Sequence, residues 1–326
     1  MRILVTGGAG YIGGHVVLQL QQRGDDVVVV DDLVTGDSAR IPDVPVLRAD
    51  LSEPSAVPML TDALAGVDAV VHFAARKRVD ESVLRPAWYY QQNVGGMANL
   101  LLAMEAARVS ALVFSSSAAV YGSTEGDSIP ESSPTSPISP YGRTKLIGEQ
   151  MLDEVAASRP LRAASLRYFN VAGAGSPRLG DTAVLNLVPM VFEKLDAGEE
   201  PVIFGADYPT PDGTCVRDYI HVADLASAHL AALDAVASGA ISGNRPFNIG
   251  TGRGSSVREM ISAIAAASGL DLVPRVAERR PGDAAIVVAD PSRARSELGW
   301  EARHDLRDIV ESAWASHQLL SGSPRG

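Results

Sequence analysis

Arg2-Ile3-Leu4-Val5-Thr6-Gly7-Gly8-Ala9-Gly10-Tyr11-Ile12-Gly13 opens the chain with a short apolar run, a glycine loop and the start of a helical pattern. Gly7, Gly10 and Gly13 form a G-x-x-G-x-x-G spacing directly after a strand. There, bare backbone lets a pyrophosphate approach, and the following helix N-terminus faces the anion. The spacing alone also suits an ordinary strand-to-helix turn, so its neighbours decide the reading. A second β-branched run, Asp26 to Asp31, ends in a carboxylate 18 residues after Gly13. Asp31 is placed to accept hydrogen bonds from ribose hydroxyls, and its charge would repel a 2′-phosphate, which favours NAD over NADP. Asp32 either shares that task or is a solvated strand end.

Outward from this unit the same alternation continues. Arg2 to Thr6, Asp26 to Asp31, Val44 to Ala49, Ala69 to Phe73 and Ala111 to Ser115 read as buried strands. Helical patterns fill Tyr11 to Arg23, Glu53 to Ala65, Ala87 to Arg108 and Tyr141 to Ala157. Alternating strands and helices require a parallel sheet covered on both faces, so the fold class is α/β, a Rossmann-type doubly wound sheet. After a strand at Leu166 to Asn170 the regularity gives way to Gly/Pro-rich stretches and a helical segment near Asn186 to Ala197. We expect a nucleotide-binding domain over 1–175 and a smaller C-terminal substrate-binding lobe over 176–326. His221-Val222-Ala223-Asp224 opens another helix and Pro246 to Ile249 resembles a strand, so parts of 215–250 are expected to return to the first domain.

With 326 residues, 46% of them hydrophobic and 21% charged, the chain has the make-up of a folded enzyme rather than of a disordered segment. A net charge of -11 without a long Lys/Arg cluster lacks the footprint of a nucleic-acid binder. One cysteine, Cys215, and no Cys/His group at metal-ligand spacing lead us to expect neither a disulfide nor a metal, and a cytoplasmic setting. The first apolar run is too short for a signal core or a span, so no membrane association is expected. Residues 321–326 read as a frayed end.

Tyr141 and Lys145 stand four residues apart on one face of a helix opening at Ser139-Pro140-Tyr141. A tyrosine working as a base near neutrality needs its pKa lowered by about 3 units, roughly 4 kcal/mol. An ammonium and a positive nicotinamide ring nearby would favour the phenolate. Ser115-Ser116-Ser117 ends the fifth strand, where ligands of open parallel sheets sit, so Ser117 can hydrogen-bond the alcohol that Tyr141 deprotonates.

Glycine loop, strand-end serine and Tyr/Lys pair, in this order, resemble the extended short-chain dehydrogenase/reductase family. Within it, Val71-His72-Phe73-Ala74, Glu81-Ser82-Val83, Val120-Tyr121-Gly122 and Arg217-Asp218-Tyr219-Ile220-His221-Val222 resemble the UDP-glucose 4-epimerases, a likeness running through Asp290. That resemblance implies reversible UDP-glucose/UDP-galactose 4-epimerisation through a 4-keto sugar with tightly held NAD. Tyr141 would take the 4-hydroxyl proton, Ser117 would stabilise and relay, and Lys145 would hold the nicotinamide ribose and tune Tyr141. Lys77 would meet the cofactor diphosphate. Tyr11, Ile12, Asp50, Leu51, Phe73, Ala74, Asn93, Tyr168 and Phe169 would supply the other cofactor contacts. On the nucleotide-sugar side the resemblance places Asn170, Asn186, Leu187, Val202, Phe204, Arg217, Tyr219, Arg280 and Asp283. It also implies a homodimer joined through the helices of 87–108 and 141–157.

The chain departs from the pattern at Ala119, where a threonine is common, and around Lys77, at Ala75-Arg76 and Arg78-Val79-Asp80. Val287 takes a place where strict glucose/galactose relatives carry tyrosine, which would leave room for a 2-acetamido group and extend the substrates to UDP-N-acetylglucosamine and UDP-N-acetylgalactosamine. Two other readings remain at this point. One is another NAD-dependent nucleotide-sugar enzyme, a dehydratase or decarboxylase, for which Ala118 and Ala119 leave out the extra carboxylate. The other is a non-catalytic NAD-binding sensor, which has no need to keep Ser117, Tyr141 and Lys145 together.

Overall fold

A computed structural model describes residues 1–322 except 124, 125, 127 and 281, so 323–326 of the expected frayed end lie outside the described residues. In chain order the strands are β1 (Arg2–Thr6), β2 (Asp26–Asp31), β3 (Val46–Arg48), β4 (Ala69–His72), β5 (Ala111–Ser115), β6 (Arg162–Tyr168), β7 (Asn170–Ala172), β8 (Val202–Phe204), β9 (Val216–His221), β10 (Gly243–Ile249), β11 (Gly254–Ser256), β12 (Arg275–Ala277) and β13 (Ile286–Val287). The helices are α1 (Tyr11–Arg23), α2 (Ala56–Ala63), α3 (Val79–Leu84), α4 (Pro86–Tyr89), α5 (Gly96–Ala107), α6 (Pro140–Ser158), α7 (Leu187–Asp196), α8 (Val222–Ser238), α9 (Val257–Ser268), α10 (Ser292–Leu298) and α11 (Leu306–Leu320).

Seven parallel strands form the main sheet in the order β10-β6-β5-β4-β1-β2-β3. The period-2 alternation of a strand divides its side chains between two cores. Ile3, Val5, Val29, Val71 and Val113 pack on one face with Val16, Val17 and Leu20 of α1 and Leu225, Ala232 and Leu233 of α8. Leu4, Val30, Val70, Leu112 and Phe114 pack on the other with Leu60 of α2, Leu100 and Met104 of α5 and Leu152 of α6. Each fully buried aliphatic side chain is worth roughly 1.5–3 kcal/mol, so these two layers, not the surface ion pairs, hold the sheet. The run of apolar residues in each central strand follows directly from burial on both faces.

The chain leaves this sheet after β6, passes through β7, and returns as β10. β10 is an edge strand, which tolerates Pro246 because a proline there need not break a ladder on both sides. A cluster of small sheets lies outside the main sheet: β9 pairs with β11, β13 and β7, and β8 pairs with β12. Val188, Val191 and Phe192 of α7, Ile261 and Ile264 of α9, and Ile309 and Val310 of α11 close its core.

Several expected bounds move. The helical pattern over 87–108 is three pieces, α4, a π-helical turn over Tyr90–Gly95 and α5. The strand expected at Val44 to Ala49 shortens to Val46–Arg48, because Val44 is held in a turn on Ile41. The helix expected from Glu53 begins at Ala56, after Pro54. The strand expected at Leu166 to Asn170 begins at Arg162 and hands over at Phe169 to β7, in a different sheet. Neither α9 nor α11 is among the helices expected from the sequence, although each opens with a capping box, Ser256/Glu259 and Asp305/Asp308. Among the described residues no helix is long and apolar enough to cross a membrane.

Candidate functional site

The carboxyl ends of β1, β2, β4, β5 and β6 converge on one cleft, at the point where the chain runs outward from β1 toward β2 on one side and β4 on the other. Gly7, Gly10, Tyr11, Ile12 and Gly13 form its floor. Gly7 has φ +71°, and a Cβ there would lie 2.6 Å from the Ala74 amide nitrogen; a Cβ at Gly13 would collide with the Gly7 carbonyl oxygen. These glycines let α1 and the turn after β4 close on the loop. Gly10 caps α1 without any side-chain hydrogen bond, so the amides of the first turn are left for a ligand. The Tyr11 hydroxyl donates to the Gly173 carbonyl at 2.6 Å, joining the loop to the chain that leads into the smaller lobe.

At the ribose end Asp31 accepts from the amides of Ala9 (3.0 Å) and Leu33 (2.9 Å). Burial raises its pKa, the two amides oppose the rise, and a carboxylate has lone pairs to spare beyond them. Asp32 also lines the cleft, but its Oδ2 takes the Arg76 guanidinium at 2.5 Å, and Arg76 Nε donates to Gln92 at 2.9 Å. Asp50, Leu51, Phe73, Ala74 and Lys77 complete this wall. Leu51 and Phe73 serve packing as well, Leu51 in the core under β2 and Phe73 against His229. Asn93 does not line the cleft. It bonds the Arg76 amide and carbonyl and Thr144 Oγ1, tying the turn after β4 to α6. Phe169 packs in an apolar cluster with Val120, Tyr121, Ile129 and Ala289.

The other end of the cleft is made by β5, β6 and α6. Ser139 caps α6 by accepting from Gly142 N at 3.1 Å, and Pro140 fits its first turn. A Cβ at Gly142 would stand 2.5 Å from the Ala119 carbonyl oxygen, so glycine allows the helix start to rest on the serine loop. Tyr141, Lys145 and Tyr168 line the cleft together with Ser115. Lys145 Nζ donates to the Ser115 carbonyl at 2.7 Å and lies 6.0 Å from the centre of the Tyr141 ring. Burial lowers the Lys145 pKa to about 7, with Glu149 pulling the other way. Burial drives the Tyr141 phenol far above its ordinary value, Tyr168 and Tyr89 add to this, and a hydrogen bond to Ser117 opposes it. The protein's own groups favour the neutral phenol, chiefly through desolvation, whereas the expected shift toward phenolate draws on the nicotinamide charge together with the Lys145 ammonium. Ser117 stands just outside the cofactor wall. It caps the short turn Ala118–Val120 through Ala119 N at 3.2 Å, so it is both a turn residue and a neighbour of the phenol.

Of the residues expected on the nucleotide-sugar side, Asn170, Val202, Phe204, Arg217, Tyr219 and Val287 lie on the strands of the small sheets, and Asn186, Leu187, Arg280 and Asp283 do not. Asn170 is opposite Tyr219, and Val287 is opposite Arg217. Arg217 Nη2 is 3.6 Å from Asp283, and the Arg280 guanidinium lies 3.9 Å over the Phe204 ring, next to Val202 on β8. Asn186 leads into α7 and bonds Asp181 at 3.2 Å, while Leu187 packs on the lobe core. Asp181, Thr182, Ala183 and Leu185 line the cofactor cleft, so this segment joins the two groups of residues. Sequence reasoning missed that segment and Arg40, which donates to Gly180 O and Thr182 Oγ1. No local pattern marks them. It also missed Glu149, although Glu149 continues the spacing of four that joins Tyr141 to Lys145.

A doubly wound parallel sheet with a dinucleotide cleft at its switch point, and a phenol, an amine and a hydroxyl gathered at one end, defines a class: nicotinamide-dependent enzymes that act on alcohols. Comparison with known proteins narrows it. The profile of the NAD dependent epimerase/dehydratase family matches residues 3–250, and the chain belongs to that family. Among its relatives, a UDP-glucose 4-epimerase of Azospirillum brasilense is 44% identical over 99% of this chain and 93% of its own length. A crystal structure of UDP-glucose-4-epimerase from Stenotrophomonas maltophila, with bound NAD and formylated UDP-arabinopyranose, superposes with a TM-score of 0.93 at 42% identity, covering 99% of this chain and 100% of that one. The UDP-Glc/GlcNAc 4-epimerase of Campylobacter jejuni gives a TM-score of 0.85 at 37% identity, over 98% and 99% of the two chains. NAD is the cofactor of this family, and the uncapped start of α1, the bare glycine floor and the carboxylate of Asp31 fit it.

Proposed function

We propose that the protein interconverts UDP-glucose and UDP-galactose by inverting the sugar C4. The observation that carries this reading is the meeting of Tyr141, Ser117 and Lys145 at the end of a cleft whose far end presents Asp31. Arg217 and Arg280 in the adjoining lobe supply the fixed cations that an acidic protein needs to hold a nucleotide diphosphate. With the nicotinamide charge beside it Tyr141 would act as the phenolate, taking the proton of the 4-hydroxyl as the C4–H bond breaks and returning it when the 4-keto sugar is reduced from its other face, leaving no net redox change. NAD, when bound, supplies the acceptor and donor of that hydride and a positive charge beside the phenol. Ser117 hydrogen-bonds the oxygen at C4 in both its alcohol and ketone forms. Lys145, fixed by the Ser115 carbonyl, holds the nicotinamide ribose. Lys77 and the main chain of Tyr11 and Ile12 meet the cofactor diphosphate.

Residues 1–175, with parts of 215–250, form the nucleotide-binding unit of this reading, and 176–326 the substrate lobe. Val287 and Ala118 each pack against the apolar cluster of Val120, Tyr121, Ile129, Phe169 and Ala289, and a residue smaller than tyrosine at 287 supports room for an acetamido group. The substrates then include UDP-N-acetylglucosamine and UDP-N-acetylgalactosamine. The test is product analysis after incubation with a panel of UDP-hexoses and UDP-N-acetylhexosamines without added NAD. Tyr141→Phe is expected to lose about 100-fold or more in kcat. Undiminished turnover in that variant removes the assignment, and turnover of UDP-galactose but not UDP-N-acetylgalactosamine removes the wider specificity.

The working form is a homodimer in the cytoplasm. Leu102, 55% exposed, lies on α5, one of the helices through which the resemblance joins two copies. Light scattering giving the mass of one chain at micromolar concentration would contradict the dimer.

A further inference from the structure

Glu149 lies one helical turn beyond Lys145 and two beyond Tyr141 on α6, in a buried network to which the chemistry above gives no part. Its carboxylate accepts from Ser116 Oγ at 2.5 Å, from Arg167 Nη2 at 2.5 Å and from Arg167 Nε at 3.0 and 3.1 Å. Arg167 Nη1 donates to the Tyr121 hydroxyl at 3.0 Å, which donates to Asn248 Oδ1 at 2.7 Å. Asn244 of β10 donates to the Glu149 carbonyl at 3.2 Å. The carboxylate thus ties α6 to the end of β5, to β6 and, through Arg167 and Tyr121, to β10, while Asn244 holds the main chain of the same residue.

The pair is 4% and 5% exposed, and for ions this deep the desolvation penalty consumes most of the Coulomb gain. Replacing such a pair by apolar residues is often neutral or stabilising by about 1–4 kcal/mol, so stability alone does not account for it. Two contacts direct it toward the reaction. Ser116 adjoins Ser117, and so the Glu149–Ser116 bond sets the backbone that carries the Ser117 hydroxyl. The groups facing Lys145 are the Ser115 carbonyl and Phe114 ring of β5, His72 of β4, and Tyr141 and Glu149 of its own helix. Glu149 is the carboxylate among them.

We infer that Glu149 is a positioning residue for this reaction: through Ser116 it orients Ser117 toward Tyr141, and its charge balances the Lys145 ammonium against the Arg167 guanidinium. The inference rests on the assignment of Tyr141, Ser117 and Lys145 made above. A neutral side chain at 149 leaves a buried guanidinium uncompensated and removes the group that holds the Lys145 pKa up against burial.

The test compares NAD-loaded parent, Glu149→Gln, Ser116→Ala and Tyr141→Phe for kcat and KM with UDP-galactose across pH. Glu149→Gln is expected to lose about tenfold in kcat with KM within about twofold, and the alkaline limb of its kcat profile is expected to move down by about one pH unit. Ser116→Ala keeps the charge, so its kcat is expected to fall about fivefold with the limb in place. Parental rate and profile in Glu149→Gln, or a loss of rate with no movement of the limb, overturns the inference. Should that variant not fold, Ser116→Ala decides, and parental kcat there overturns it. If Tyr141→Phe turns over like the parent, the underlying assignment has failed and the inference with it; if Tyr141→Phe is inactive, a negative result at 149 or 116 falls on the inference alone.

Discussion

At Gly7 a single backbone angle controls access to the dinucleotide cleft. An alanine there meets two penalties: a φ of +71°, worth about 1–2 kcal/mol against any side chain, and backbone atoms of Phe73 and Ala74 at 2.6 to 3.0 Å that cannot give way without moving the end of β4. Gly10, only three residues on, has an extended φ of -78°, and its added Cβ would meet the Gly7 carbonyl at 3.3 Å. Gly7→Ala is therefore expected to lose about 3 kcal/mol and its bound NAD, whereas Gly10→Ala loses under about 1 kcal/mol. Denaturant unfolding with NAD content measured on the purified proteins checks this, and equal losses in the two would contradict it. The motif treats these glycines alike. Their difference comes from what packs on each.

The start of α6 shows what an element contributes beyond its residues. Alanine usually stabilises a helix over glycine by about 1 kcal/mol. At Gly142 the sign reverses, because the added methyl would press on the Ala119 carbonyl and on Pro137 and lift the helix from the serine loop. Gly142→Ala is expected to keep its fold and its NAD yet lose at least about tenfold in kcat, since Tyr141 and Ser117 then stand apart. Kinetics with UDP-galactose beside a cofactor assay is the check, and a parental kcat would refute it. The spacing of Tyr141 and Lys145 is legible in the sequence because a helix repeats every 3.6 residues. Their distance from Ser117 is not, because it depends on one helix resting on one loop. Likewise the π-helical turn inside the 87–108 pattern follows from no local propensity, and it carries Asn93, which ties the turn after β4 to Thr144 on α6.

Across the whole molecule, buried histidines set the response to acid. His15, His221 and His229 are lowered to about 4 and His72 to about 3, each chiefly by burial. His15 is held neutral by Tyr11 O and the Gly175 amide, and His229 Nε2 has no hydrogen-bond partner among the described residues. Between the ordinary value of 6.5 and about 4, the unfolded chain takes up protons that the folded chain refuses, so stability falls as pH falls through this window. Each pKa unit is worth about 1.4 kcal/mol, so a few such histidines rival a total stability of about 5–15 kcal/mol. Asp31 and Asp218, raised by burial, take up protons more readily when folded and partly offset the loss. The thermal midpoint is expected to drop steadily from pH 6.5 to 4, and a level midpoint across that range would refute it.

The parallel sheet, the glycine loop, Asp31 and the Tyr141/Lys145 pair could be read from sequence, because each is local: a periodicity, a spacing or a turn chemistry confined to a few residues. The lobe's strands of two and three residues carry no period long enough to detect, and α9 and α11 went unread despite their capping boxes. Only the tertiary structure brings Asp181 to the cofactor cleft, pairs Arg76 with Asp32, and buries Glu149 between Ser116 and Arg167. Burial and long-range contact are sums over the whole fold, and no short stretch of chain contains them.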